Sequence, residues 1–360
     1  MITPKENILK VAPYVPGKPI EEVKRELGLK DVVKLASNEN PYGPSRRVLA
    51  ALTKASRQIN RYPDGACFYL RQALAKRLKI DENQLIFGNG SDEIIVLAVR
   101  AFVRAGEEVV IAKPSFLIYE IASLIEGAVV RAVPLKNFRY DLEGMKASIT
   151  PKTKIVFIGN PDNPAGTYIP KNELKEFLNA VSENILVFID EAYFEYVNAK
   201  DYPDGINFLK THKNVVVTRT FSKMYGLAGL RIGYGIGDPS IIGVLDRLRE
   251  PFNVNALAQA AAIACLEDQK YYRGIAKSVE RERKFLYAAF KKLGVHYETS
   301  FTNFILLKVN GDSTSVAKAL LKKGIIIRDM NVWGLKNYIR VTIGSSKENK
   351  LLIKALTEVL

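Results

Sequence analysis

The stretch Asn214-Val215-Val216-Val217-Thr218-Arg219-Thr220-Phe221-Ser222-Lys223-Met224-Tyr225-Gly226-Leu227-Ala228-Gly229-Leu230-Arg231 decides how the rest of the chain is read. Its apolar, β-branched start suits a strand covered on both faces. It then passes into hydroxyls, a lysine, a glycine-punctuated turn and an arginine. That order sets an amine nucleophile beside an anion site at the end of a strand.

Working outward, short β-branched runs alternate with helical stretches on both sides of this segment. The runs are Leu85 to Phe87, Val109 to Ala112, Val129 to Val133, Ile155 to Ile158, Ile185 to Ile189, Val215 to Val217 and Ile232 to Ile236. Apolar residues recurring at three and four predict helices at Asp92 to Arg104, Phe116 to Ile125, Asn172 to Ser182 and Ile241 to Leu248. The alternation predicts an α/β fold: a mostly parallel seven-stranded sheet with helices on both faces. After Pro251 the pattern changes to two helices, Ala256 to Leu266 and Tyr271 to Leu293, followed by strands at Phe304 to Val309, Ile325 to Arg328 and Tyr338 to Ile343, which read as a smaller α+β domain. The expected division is an N-terminal arm and helix over 1–30, packing on the small domain or on a partner subunit, a large α/β domain over 31–250 and a small domain over 251–360.

Bulk properties agree with this division. At 360 residues the chain exceeds the size at which one core stops growing. The formal charge of +15 invites a nucleic-acid reading, but the basic residues are scattered singly and no zinc-finger spacing or basic tail accompanies them, so small anionic metabolites are the expected partners. The two cysteines, Cys67 and Cys265, form no CxxC pair, no apolar run approaches bilayer-spanning length, and the N-terminus has no apolar signal core. These features predict a cytoplasmic protein without a disulfide framework or a membrane anchor.

In an open parallel sheet, ligands bind beyond the carboxyl ends of the strands. The residues just past each run are Gly88-Asn89-Gly90-Ser91-Asp92-Glu93, Asn160-Pro161-Asp162-Asn163-Pro164-Ala165-Gly166, Asp190-Glu191-Ala192-Tyr193 and the lysine segment. A dinucleotide fingerprint is excluded, since Glu93 stands where its third glycine belongs. A helix opening at Ser91 instead offers free N–H groups to a phosphate. A buried acid, a phenol, an amide, a lysine and a phosphate cradle at neighbouring strand ends meet the needs of pyridoxal 5'-phosphate: a covalent link, a charged partner for the pyridine nitrogen, and an anchored phosphate.

The lysine segment, Asn163-Pro164-x-Gly166 and Asp190-Glu191-Ala192-Tyr193 resemble fold-type I, aspartate-aminotransferase-like enzymes that use this cofactor. The resemblance covers nearly the whole chain. Ala12 to Pro19, Ser37-Asn38-Glu39-Asn40-Pro41-Tyr42-Gly43-Pro44, Arg61-Tyr62-Pro63-Asp64, Gly90 to Glu93, Pro251 to Asn255 and Tyr338 to Gly344 are similar to the histidinol-phosphate aminotransferase branch. It implies that Lys223 carries the cofactor and then moves the proton, that Asp190 pairs with the pyridine nitrogen, and that Tyr193 and Asn163 bond the phenolic oxygen. It further implies Gly90, Ser91, Asp92, Thr220, Ser222 and Arg231 around the phosphate, Tyr62 reaching in from a second subunit, and Phe116 stacked on the ring. Arg340 is implied as the carboxylate clamp, with Arg328 and the partner's Tyr14 at the substrate phosphate and Asn38 and Asn40 at the entry. Ala165, Met224 and Phe116 depart from the commoner threonine, small residue and tyrosine; none removes a group that carries the chemistry.

The implied activity is transamination of L-histidinol phosphate with 2-oxoglutarate, giving imidazole acetol phosphate and glutamate in histidine biosynthesis, by a homodimer with shared active sites. Two alternatives share the motifs: an aromatic amino acid aminotransferase and a threonine-phosphate decarboxylase. No metal site is expected.

Overall fold

The computed structural model describes residues 2–13 and 17–360. Among these, the strands are β1 (Val33–Leu35), β2 (Leu85–Gly88), β3 (Glu108–Lys113), β4 (Val129–Pro134), β5 (Thr153–Gly159), β6 (Leu186–Asp190), β7 (Val215–Thr220), β8 (Gly233–Gly237), β9 (Phe304–Lys308), β10 (Ile325–Asp329) and β11 (Tyr338–Thr342). They form a seven-stranded sheet ordered β2-β8-β7-β6-β5-β3-β4 and a four-stranded sheet ordered β1-β10-β11-β9. In the large sheet only β8 runs against its neighbours; the other pairings are parallel. The α/β architecture anticipated from the alternating runs is therefore the one formed.

Residues at period two divide between two cores. Ile155, Phe157, Phe188 and Val216 face a cluster that takes Ile94, Ile95 and Ala98 from the helix Ser91–Phe102 and Ile242 and Leu245 from Pro239–Asp246. Val156, Ile158, Val187, Ile189 and Val217 face the other way, against Leu174 and Phe177 of Lys171–Ala180 and the long helix Gln269–Lys292. Burying each such side chain contributes ~1.5–3 kcal/mol. The second cluster continues without a break into the small sheet through Ile305, Leu307, Ile327 and Val341, so the two sheets share one core.

Periodicity misses several elements, among them the helix Leu142–Ala147. Strand β1 has only three residues and pairs in parallel with β10, on the large-domain side of the boundary expected at residue 31. The helix Arg46–Ala55 starts at the Ser45 side chain, which accepts from the Val48 N–H, and Phe68–Leu78 has no single apolar face. In the N-terminal helix Ile20–Leu27, Val23 is fully buried against Ala36 and Ile326 of the small sheet.

Register fixes the site before any side chain is considered. Gly159, Asp190 and Thr218 lie in one row across β5, β6 and β7. Gly88, Gly233 and Thr220 lie in another across β2, β8 and β7. In the small sheet Arg328 and Arg340 are direct antiparallel partners.

Candidate active site

A cavity at the carboxyl ends of the large sheet is bounded by Ser91, Asp92, Phe116, Asn163, Asp190, Tyr193, Thr220, Ser222, Lys223 and Arg231, and closed from the side of the small sheet by Arg328, Trp333 and Arg340. Lys223 follows the end of β7, and its Nζ donates to the Ser37 carbonyl at 3.4 Å and stands 5.8 Å from the centre of the Tyr193 ring. Desolvation by the cavity walls, with the Arg340 charge adding to it, brings its ammonium down to about 8. A neutral, nucleophilic amine is thereby accessible near physiological pH.

Asp190, the last residue of β6, is held by three donors. The Tyr119 hydroxyl donates to Oδ2 at 2.9 Å, while the Ala192 N–H and the Thr218 hydroxyl donate to Oδ1 at 3.1 and 3.4 Å. Burial pushes the carboxyl up to about 6, and the Tyr119 and Thr218 hydroxyls and the Ala192 amide restrain that rise. A cationic ring nitrogen beside it would favour the ionised form further. Both the Tyr119 and Tyr140 hydroxyls converge on Gly159: a methyl group there would lie 3.4 and 3.3 Å from them. Across the site, Asn38 Nδ2 donates to the Tyr193 hydroxyl at 2.9 Å, and burial raises that phenol to about 12.

At the other end the backbone makes an anion cradle. Gly90 adopts φ +84° as it enters the helix Ser91–Phe102, and a Cβ there would fall 2.5 Å from Arg231 Nη2. Gly233 has the same requirement from the other side, since a Cβ would fall 2.5 Å from the Ser91 N. These approaches bring the helix N-terminus, the Ser222 and Thr220 hydroxyls and the Arg231 guanidinium to one place. Arg231 itself is in the left-handed region (φ +56°) and donates to the Ala228 carbonyl at 3.2 Å and to Asp92 at 3.3 Å.

The small sheet supplies cations. Arg340 Nη1 donates to Asn163 Oδ1 and Nη2 to the Ala36 carbonyl at 3.1 Å, with the guanidinium 5.1 Å from the Phe304 ring centre. The Arg328 guanidinium lies 4.9 Å from the Trp333 ring. Taken together, the residues offer a nucleophilic amine, an acid for a ring nitrogen, a phenol and amide for a ring oxygen, a phosphate cradle, and a cationic wall for anionic substrates.

Comparison with known proteins gives the same chemistry a family. The family model for aminotransferase class I and II matches residues 30–356. The chain belongs to this family. The class I and II aminotransferases most similar to it include the histidinol-phosphate aminotransferase of Moorella thermoacetica, 48% identical over 99% of this chain and 92% of the relative. That of Caldicellulosiruptor saccharolyticus is 45% identical over 99% of both chains. The solved histidinol-phosphate aminotransferase of Sinorhizobium meliloti, in complex with pyridoxal-5'-phosphate, superposes with a TM-score of 0.92 at 31% identity, covering 100% of this chain and 98% of that one. The resemblance read from motifs is thus a family membership, and the histidinol-phosphate branch is the one to which these relatives belong.

Not every anticipated residue of this aminotransferase sits in the cavity. Tyr62 is 83% exposed and stacks on Phe252 at 4.8 Å, turned to solvent within its own chain. Asn40 is occupied in positioning the lysine turn: its Nδ2 donates to the Met224 carbonyl at 2.8 Å and its Oδ1 accepts from the Tyr42 N–H. Tyr14 lies outside the described residues. Gly90 acts through its backbone, and Asp92 holds Arg231. Asn38, anticipated at the entry, lies in the cavity and donates to Tyr193, while Tyr119 and Trp333 complete the site without having been foreseen. Tyr119 follows Phe116 by three residues, one helical turn, which is the signal that could have pointed to it; Trp333 comes from a segment with no regular period.

Proposed function

We propose that this chain transfers the amino group of L-histidinol phosphate to 2-oxoglutarate, forming imidazole acetol phosphate and glutamate, as a step of histidine biosynthesis. The single observation that carries the reading is the pair of buried arginines, Arg328 and Arg340, facing one another on adjacent strands above a lysine of lowered pKa. Like charges placed directly opposite one another are destabilising, and a bound anion offsets that cost. Two guanidiniums in one pocket suit two alternating substrates, one a phosphate monoester and the other a dicarboxylic acid, because the fork of an arginine takes both groups in bidentate fashion.

The cofactor proposed is pyridoxal 5'-phosphate, which supplies an aldehyde for a covalent carbon–nitrogen link and a ring that accepts electrons. The glycine approaches at Gly90 and Gly233 support this choice, since they clear room for backbone amides where a phosphate would sit. The Gly90, Ser91, Thr220, Ser222 and Arg231 groups would hold the phosphate. Asp190 would keep the ring nitrogen protonated, Tyr193 and Asn163 would bond the ring oxygen, and Phe116 would cover one ring face. Lys223 would hold the cofactor through Nζ and would serve as the proton carrier when that amine is free, and Tyr193 keeps its own proton because burial disfavours phenolate. Arg340 orients the carboxylate of glutamate or 2-oxoglutarate, and Arg328 the distal phosphate.

We further propose a homodimer in which Tyr62 and Tyr14 complete the partner's site. Supporting this, Leu49, Ile59, Tyr62, Phe68, Tyr69 and Phe252 are large and exposed, and they cluster in the early helices and the 251–253 turn. The division at residues 31 and 251 is kept as the domain proposal, with β1 contributed to the small sheet. Cytoplasmic placement fits two free, buried cysteines and the lack, among the described residues, of any helix long and apolar enough to cross a membrane.

The test is a donor panel with 2-oxoglutarate: histidinol phosphate, phenylalanine, tyrosine, aspartate and phosphothreonine, read as glutamate formed and carbon dioxide released. Glutamate from histidinol phosphate above the other donors is the expected result. Preference for an aromatic donor, or carbon dioxide without glutamate, replaces the reading with one of the two alternatives.

A further inference from the structure

Trp333 is the chain's single tryptophan and is 7% exposed. Its ring meets both anion-site arginines, with the Arg328 guanidinium 4.9 Å and the Arg340 guanidinium 5.8 Å from its centre. Both distances are within the range at which a cation is attracted to an indole face, and indole is the strongest of the aromatic partners. The ring's own orientation is fixed from the large domain, because Nε1 donates to the Ser115 carbonyl at 2.9 Å in a buried contact. Ser115 directly precedes Phe116, the aromatic wall of the same cavity. The indole also borders a second cavity, lined by Ile111, Pro114, Leu117, Glu120 and Val332. Trp333 therefore lines two hollows, and a smaller side chain would enlarge the space beside the cations.

We propose that Trp333 is a positioning residue for the substrate anion: it gathers the opposed guanidiniums of Arg328 and Arg340 on one ring, ties that ring to the large domain, and so presets the pocket for phosphate or carboxylate. This rests on the reading that the alternating substrates are a phosphate monoester and a dicarboxylic oxo acid. The physical logic is pre-organisation. Without the indole, Arg328 and Arg340 each lose one of the contacts that set their guanidiniums, and an arriving anion must complete their ordering at its own cost. With it, the electron-rich ring holds both until the anion takes over. Each cation–indole contact is worth roughly three- to thirtyfold in affinity.

The indole supplies its own readout, because tryptophan emission from this protein comes from position 333 alone. In the holoenzyme, glutarate and inorganic phosphate, neither of which turns over, are titrated while that emission is followed. A saturable change with both anions is expected, with the half-saturation point moving up at least tenfold in Arg328→Gln or Arg340→Gln. In steady state, Trp333→Phe keeps a ring face but loses the Nε1 donor, and is expected to raise KM for both substrates three- to tenfold with kcat within threefold of the parent. Trp333→Leu is expected to raise both KM values roughly thirtyfold. An emission insensitive to both anions, KM values within twofold of the parent in Trp333→Leu, or a loss confined to kcat overturns the proposal. If Trp333→Leu does not fold, the KM values of Trp333→Phe and the anion titration decide. Should the parent ignore histidinol phosphate and use another donor, the substrate reading fails, while glutarate binding and the 2-oxoglutarate KM still judge Trp333.

Discussion

The two ends of the cavity hold anions in opposite ways. At the strand-end cradle, Arg231 and Asp92 form an ion pair with side chains 42% and 44% exposed, 3.3 Å apart, surrounded by backbone amides that glycines leave accessible. Such a pair contributes about 0–1 kcal/mol, so an arriving phosphate can displace the carboxylate at little cost. At the small-domain wall, Arg340 is 5% exposed and bonded to the Asn163 side chain and the Ala36 carbonyl, and Arg328 is 8% exposed against an indole. Buried charges of this kind depend on their partners. The difference teaches that the cradle suits a group that stays, held by many modest contacts, whereas the wall suits groups that come and go, recognised by few strong ones.

Substitutions can break or sharpen that contrast. Lys223→Ala should lower turnover at least about a thousandfold, since it removes both the nucleophile and the proton carrier; glutamate formation and the visible absorbance of the loaded protein measure it. Asp190→Asn should cost roughly a hundred- to a thousandfold in kcat, because a neutral amide cannot sustain charge on the ring nitrogen. Its KM for 2-oxoglutarate should move little, and an equal rise in KM would show that the two ends are not separable. Arg340→Lys is the converse. A point charge replaces a fork, so KM for 2-oxoglutarate should rise about ten- to a hundredfold with a much smaller loss of kcat.

The smaller effects concern the cofactor end alone. Tyr119→Phe removes one of three donors to Asp190 and should weaken cofactor retention about tenfold, measured by equilibrium dialysis after loading. The pH dependence follows from two shifts with signs that can be checked. Lys223 is an ammonium below its lowered value of about 8 and a free amine above it, so the rate of cofactor capture by the unloaded protein should rise with pH and level off near 8, well before an ordinary lysine would. Asp190 is charged above its raised value of about 6 and neutral below it, so retention should weaken as pH falls through 6. A capture rate still climbing through pH 10 would show that the cavity does not desolvate the amine.

Much of this protein was determined by its residues in order. The runs of β-branched residues at period two, with helical stretches between, require a sheet covered on both faces, and a strand's end is set by where its apolar run stops. Gly90, Ser91, Asp190, Thr220, Ser222 and Lys223 lie within a few residues of such an end, and Arg231 directly before the run of β8, so their convergence was legible from local pattern alone. Tertiary structure decided the rest. Strand β1 forms because β10 lies alongside it; three residues carry no period of their own. Arg328 and Arg340 become a pair through an antiparallel register between segments twelve residues apart, and Trp333 meets them because a short turn folds back onto Ser115, more than two hundred residues away in sequence. Local pattern reflects which side chains must leave water. Which buried groups then touch is settled only when the two sheets close over one core.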